Sequence, residues 1–352
     1  MKIRLGNIKK KISRRKKFFF REIQGVMQSI SQYIYEMLTL FDKSIRVSFT
    51  NFPHGEKQEA SPFLKLFKKN CPQFEFKFVK YCNPHIQLFS VYGKIKELKN
   101  SKAPVKIFFT GENVNCGHNS LYQGNCIDIV DLSIGFDFIT TNNYIRDPLW
   151  MFYFFPFDSS KDDIRNILDN FKLAKEKTKF CALISRHDNH GLKGLRTRIY
   201  NEVSCISHVD SPGRLLHNDD TLHKNFNNDK DLYLQQYKFN ICPENSISEG
   251  YVTEKIFQSL YSGCIPIYSG WNKDPEPGII NPNIIMWYDV TDMENNKHTM
   301  NEIRRLHEND KLYRSFVDQP FFCDTAVDRI HNFNTKLNEK LRELLQTKLS
   351  RC

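Results

Sequence analysis

Apolar and polar positions along the chain change period repeatedly, and those changes predict two series of strands and helices. SIRVSFTNF (44–52) reads as a short strand ending in a loop, PFLKLFKKN as a helix, and FEFKFVKY as an alternating strand. IQLFSV is a further strand, KIKELKN is helix-like, and VKIFFTGEN is an apolar strand that runs into Gly111-Glu112-Asn113. Residues 131–150 predict more short strands and turns. After the charged stretch KDDIRNILDNFKLAKEKTK, which has the weak periodicity of a linking helix, a second series begins at FCALISR. GLKGLRTRIYNEV follows as a helix with Leu195, Ile199 and Val203 on one stripe, then a polar loop over 208–231. QQYKFNICPENS predicts a strand, YVTEKIFQSLYSG a helix, and CIPIYSG and NIIMWYDV two more strands. Leu337, Leu341, Leu344, Leu345 and Leu349 stripe a closing helix. Near the start, Phe20, Ile23, Met27, Ile30, Ile34, Leu38 and Phe41 recur at helical spacing.

Strands alternating with helices predict parallel sheets covered on both faces. The breaks divide the chain into an arm with an amphipathic helix (1–43), a first α/β domain (44–160), a linker (161–178), a second α/β domain (179–326) and a final helix (327–352). In open parallel sheets, ligands sit beyond the carboxyl ends of the strands. The polar loops TGEN and CPENSISEGYVTEK both occupy that position, one in each domain.

Composition changes this picture in one respect. Of a formal net charge of +11, residues 1–21 hold ten Lys or Arg and no acid, so the rest of the chain sums to only +1. A nucleic-acid binder would carry its basic stripe on a folded domain, so nucleic acid is excluded as a partner. Beside the polybasic arm, the amphipathic helix fits either an anionic membrane surface or packing on the first domain. Ten cysteines include no CxxC pair and no zinc spacing, which reads as free thiols in a reducing compartment. No signal peptide is recognisable, and no apolar run approaches the ~18 residues of a membrane span.

Several side chains are candidates for chemistry. Glu254 and Lys255 open a helix, where free N–H groups and a cation suit a diphosphate, although a solvated ion pair is the plainer alternative. No GxxxxGK[ST] loop occurs. Arg196 holds the matching strand-to-helix position of the preceding unit and is a candidate phosphate ligand, with Arg198 its rival. Asn245 and Tyr251 suit sugar or ribose hydroxyls. Glu112, at the end of a strand, is a candidate general base, with Gly111 read as allowing a tight turn. Neither RHDNH (186–190) nor DVTD (289–292) has the spacing of a metal site.

CPENSISEGYVTEKIFQSLYSGCIPIYSG (242–270) resembles the signature of the α1,3/α1,4-fucosyltransferases, glycosyltransferase family ten. The matching pieces are Glu244-Asn245-Ser246, Tyr251-Val252-Thr253-Glu254-Lys255 and Ile265-Pro266-Ile267-Tyr268-Ser269-Gly270. TGEN, SIGFDF and YIRDPLW resemble the family's first-domain segments, and Pro243 is a departure. The resemblance implies an α/β fold of GT-B type, two Rossmann-like domains facing a central cleft, with the acceptor on 44–160 and GDP-fucose on 179–326. It implies inverting transfer of L-fucose from GDP-β-L-fucose to a hydroxyl of N-acetylglucosamine in a lactosamine-type glycan, with α1,3 linkage placed ahead of α1,4. A lipopolysaccharide O-chain is one such acceptor. Glu112 matches the family's base, Arg196 its phosphate ligand, and Asn245, Tyr251, Glu254 and Lys255 its nucleotide-sugar contacts. No metal or cofactor is then required, Mn²⁺ or Mg²⁺ being at most stimulatory. The expected location is the cytoplasm or the cytoplasmic face of a bacterial membrane, ahead of the Golgi. The alternatives are a GT-B transferase for another nucleotide sugar, or a nucleotide-sugar- or glycan-binding protein without turnover.

Overall fold

A computed structural model describes residues 23–39, 42–53, 61–171, 177–188 and 192–350. The basic arm and His190 of RHDNH lie outside the described residues. The first sheet contains β1 (Ile45–Thr50), β2 (Phe76–Phe78), β3 (Ile86–Phe89), β4 (Val105–Phe109), β5 (Leu132–Gly135) and β6 (Tyr144–Arg146). Their order is β2-β1-β3-β4-β5-β6, every pair parallel, with Val47 opposite Ile86 and Ile107 opposite Leu132. The second sheet contains β7 (Lys179–Leu183), β8 (Val209–Asp210), β9 (Tyr237–Ile241), β10 (Ile265–Tyr268) and β11 (Met286–Trp287). It is also all parallel, in the order β11-β10-β9-β7-β8. Both orders reverse direction once, between β1 and β3 and between β7 and β9, and such switch points open crevices for ligands.

Helices cover these sheets for local reasons. α2 (Pro62–Asn70) starts with Pro62 in its first turn and Ser61 accepting the Phe63 N–H, and it buries Phe63, Leu64, Leu66 and Phe67. α5 (Lys161–Asn170) begins with a reciprocal capping box between Ser160 and Asp163. It occupies the stretch expected as a linker, yet Ile164 and Leu168 are buried, so this segment is packed. α6 (Leu195–Ser204) buries Leu195, Ile199 and Val203 on the expected stripe. α9 (Glu254–Tyr261) buries Ile256, Phe257 and Leu260. α12 (Ala326–Leu349) returns to the first domain, where Leu337, Leu341, Leu345 and Leu349 join the core of α2 and β1. Asn70 Nδ2 donates to Asn338 Oδ1 at 2.7 Å within that contact.

Between the domains lies α4 (Leu149–Phe154), whose first two residues end the 131–150 stretch expected to hold short strands and turns. Trp150 stacks on Phe257 of α9 with ring centroids 4.3 Å apart. Its indole N–H donates to Glu276 Oε1 at 2.9 Å, and Arg146 pairs with the same oxygen at 2.9 Å. One core thus spans both domains, and it fixes the edges of the gap that holds the site.

Candidate functional site at the domain cleft

On the second-domain side, β9 leads into Cys242-Pro243-Glu244-Asn245. Cys242 N–H donates to Ile267 O and Glu244 N–H to Ser269 O, so the ladder to β10 continues past Pro243. Alternation places the N–H that Pro243 lacks on the β7 side, where that strand ends at Leu183. The proline therefore breaks no ladder bond.

Glu244 is buried and spends its carboxylate internally. It accepts from the Thr253 N–H (2.8 Å), Thr253 Oγ1 (2.8 Å), Lys255 Nζ (3.0 Å) and Tyr268 Oη (3.2 Å). Thr253 precedes α9 but makes no side-chain cap, leaving the N–H groups of the first helical turn without one. Burial works against the Lys255 charge, but Glu244 and Glu254 outweigh it and hold the ammonium above its ordinary pKa.

Arg196 is buried at the start of α6. Its guanidinium donates to His187 O at 2.7 Å and Asn245 Oδ1 at 2.6 Å. Burial pulls its pKa down, partly opposed by Asp188 and Glu244. Arg198 points elsewhere, pairing with Glu202 at 3.3 Å and lying over the Tyr288 ring. Asp188 accepts the N–H groups of Arg196 (2.9 Å) and Thr197 (2.8 Å), so it already caps α6. Among the described residues no group of three or more His, Cys, Asp or Glu is arranged to hold a metal ion.

On the first-domain side, Thr110 Oγ1 donates to Glu112 O (2.8 Å) and accepts from the Glu112 N–H (3.0 Å), which fixes the backbone after β4. Tyr92 Oη donates to Glu112 Oε1 at 2.9 Å. Gly111 does not occupy the left-handed region, contrary to the tight turn expected of it. It is a site of close approach, where a Cβ would meet Leu149 Cδ1 at 2.7 Å. Gly250 does require glycine: its φ is +74°, and a Cβ would stand 2.7 Å from the Phe136 carbonyl oxygen across the domain boundary. Asn113 Nδ2 bridges the same boundary to Ser246 Oγ at 2.8 Å.

Two cavities meet at these residues. One, of about 250 Å³, opens at the β7/β9 switch point within the second domain. Arg186, His187, Arg196, Lys230 and Asn245 are among its walls. The other, of about 570 Å³, lies between the domains and is lined by Tyr92, Glu112, Asn245, Tyr251, Glu254 and Lys255 among others. Asn245, Glu254 and Lys255 border both. Sequence reasoning gave no individual role to Tyr92, Glu244, Arg186 or Lys230, and weighed His187 only within the metal reading of RHDNH that it set aside. Glu244 stood in the quoted signature, but nothing local marked it as the buried acid.

Comparisons with known proteins agree with this architecture. The family model "Glycosyltransferase family 10 (fucosyltransferase) C-term" matches residues 173–335, and "Alpha-(1,3)-fucosyltransferase FucT N-terminal domain" matches residues 47–153. The chain is 28% identical over 248 residues to "Alpha-(1,3)-fucosyltransferase FucT" of Helicobacter pylori, covering 62% of this chain and 47% of that protein. It is 31% identical over 149 residues to "GDP-fucose protein O-fucosyltransferase 3" of Gallus gallus, covering 38% and 29%. The chain thus spans less than half the length of these curated relatives. A solved structure, "Crystal Structure of alpha1,3-Fucosyltransferase with GDP-fucose", superposes with a TM-score of 0.57 at 20% identity, over 84% of this chain and 90% of the other. At that identity the likeness is one of fold, and the fold is GT-B.

Proposed function

The chain belongs to glycosyltransferase family 10, and from that premise we propose that it moves L-fucose, with inversion, from GDP-β-L-fucose to an N-acetylglucosamine hydroxyl of a lactosamine-type glycan, in α1,3 linkage. The observation that carries the proposal is a single inter-domain cavity with Glu112 on one wall and Asn245, Tyr251, Glu254 and Lys255 on the other. A base facing a cationic diphosphate seat is what a single displacement at a sugar carbon needs.

In this reading the nucleotide occupies the second-domain cavity, and its diphosphate lies at the first turn of α9. Lys255 has three N–H donors, of which Glu244 and Thr253 take two, leaving one for a phosphate oxygen. Arg196 contributes a second cation. Asn245, Tyr251 and Glu254 hold hydroxyls of the nucleotide sugar. The acceptor oxygen forms a bond to the fucose anomeric carbon from the face opposite the leaving group. As that bond forms, the acceptor proton passes to Glu112 and the breaking bond's electron pair leaves on a β-phosphate oxygen of GDP. Arg196 and Lys255 neutralise the charge that develops there, a task a divalent cation performs in other transferases. Mn²⁺ or Mg²⁺ is accordingly proposed as stimulatory at most.

A serine or threonine hydroxyl of a protein is the second reading of the acceptor, because the Gallus gallus relative bears a protein O-fucosyltransferase name. The match to the α1,3-fucosyltransferase covers more of the chain and puts the glycan first.

The test supplies GDP-fucose with N-acetyllactosamine, a lipopolysaccharide O-chain and a hydroxyl-bearing peptide, with EDTA or Mn²⁺, and reads the linkage by NMR. Fucose α1,3-linked to N-acetylglucosamine, formed in EDTA, is the expected product. Glu112→Gln should slow turnover by about 10²–10⁴ while leaving GDP binding intact. Wild-type turnover by that variant would remove Glu112 from the mechanism.

A further inference from the structure

The helix over residues 23–39, α1, is amphipathic, yet it seats its polar side on the protein. Gly25, Ser29, Gln32, Glu36 and Thr39 form the stripe turned towards the first domain, with Glu36 and Thr39 buried. Glu36 Oε1 accepts the Lys80 N–H (2.7 Å), and Oε2 accepts those of Tyr81 (2.6 Å) and Cys82 (2.8 Å). Gln32 Nε2 donates the carboxylate's fourth bond, the second at Oε1, at 2.8 Å. The opposite stripe, Ile23, Val26, Met27, Ile30, Ile34 and Leu38, is between 41% and 65% exposed. In water alone an amphipathic helix settles the other way round, so the outward apolar stripe calls for an occupant.

Charge identifies it. Exposed Lys65 and Lys68 line one cavity beside α1 together with Gln32 and Tyr35, and exposed Lys80 lines a second with Met27 and Tyr81. Residues 1–21 hold ten Lys or Arg and no acid, and Glu22 alone stands between them and the helix. A second copy of this chain would bring the same cations against these, which opposes self-pairing through this face. A surface that offers apolar depth and anions together is an acidic lipid bilayer. We infer that α1 docks on an anionic membrane surface, its apolar stripe entering the headgroup region and its flanking lysines meeting lipid phosphates. The Glu36 bonds fix the helix to the first domain, so docking would hold the whole molecule at the bilayer.

The test uses the full chain in sedimentation with vesicles of phosphatidylcholine alone, or with about a third phosphatidylglycerol. Binding is expected to the acidic vesicles only, and to weaken with added salt. Ile30→Glu combined with Ile34→Glu alters exposed positions, so the thermal midpoint should hold while acidic-vesicle binding falls about tenfold or more. Lys65→Glu with Lys68→Glu should weaken binding most at low salt. Three results would overturn the proposal: no binding to acidic vesicles, binding unchanged by the isoleucine substitutions, or a dimer by light scattering that those substitutions dissociate. The last would assign the stripe to a second copy.

Discussion

Glu112 lines the cleft from the first domain, whereas Glu244, in the second domain, is buried, and the two differ in what occupies their oxygens. Every partner of Glu244 is a donor: the Thr253 N–H and hydroxyl, the Lys255 ammonium and the Tyr268 hydroxyl. Glu244→Gln puts an NH₂ among donors and takes from Lys255 the carboxylate in direct contact with it, leaving only Glu254 as a nearby negative charge. Breaking a buried pair in this way costs about 3 kcal/mol or more. Calorimetry should show a lowered unfolding midpoint together with weakened GDP binding, whereas Glu112→Gln should move neither. The signature containing Glu244 was legible in the sequence, but its inward direction was not. Glu244 follows β9 and Glu254 opens α9, two acids within one strand-to-helix segment, and only the packing of Tyr268 and α9 separates them. Asp147 offers a different test. It is fully buried, and among the described residues neither of its oxygens has a hydrogen-bond partner. Burial pushes its carboxyl up to about 8, with Arg146 opposing. In the unfolded chain the same group titrates near ~3.9. Between those values the folded state keeps a proton that the unfolded chain has lost. Its stabilising contribution is therefore full below about pH 4 and is lost, at about 1.4 kcal/mol per pH unit, as pH rises to about 8. Asp147→Asn should remove that part of the slope when unfolding free energy is measured between pH 5 and 8. An unchanged slope would show that Asp147 is ionised in the fold.

Elements were readable where one face meets water and the other meets the core. α2 matches its predicted segment from Pro62 to Asn70 because cap, proline and apolar spacing agree. β1 shows regular alternation of buried and half-buried residues. α4 gave no periodic signal, because LWMFYF is apolar throughout and sits between the two domains. β8 and α7 (Thr221–Lys224) lie within the predicted polar loop, at two and four residues too short to establish a period. For α12 the leucine stripe was plain, but its seat was not. A stripe shows that a face is buried without showing against what, and its partner α2 lies more than 250 residues earlier. α1 exposes the sharper limit. Its period was legible, while the direction of its apolar face depended on Glu36 reaching the N–H groups of residues 80–82.

Across the whole molecule, the two cavities depend differently on domain placement. The smaller is walled only by residues 183–258, whereas the larger draws on both domains. Nucleotide binding should therefore tolerate a loosened interface that fucose transfer does not. Glu276 is the place to loosen it, because its carboxylate receives both Arg146 and the Trp150 indole N–H. Glu276→Gln can keep the bond from Trp150, but the Arg146 guanidinium, itself largely buried, loses its charge partner. Phe138 and Phe333 still flank that guanidinium, at 4.4 and 5.5 Å from their ring centroids, so the contact weakens without disappearing. GDP affinity measured by titration calorimetry should stay within about twofold, while kcat/KM for transfer falls about tenfold, or ~1.4 kcal/mol of transition-state stabilisation. Productive geometry is the quantity lost, since in the proposed mechanism Glu112 reaches an acceptor oxygen lying against a sugar held by the other domain. A parallel fall in GDP affinity would mean instead that the nucleotide seat itself depends on the first domain.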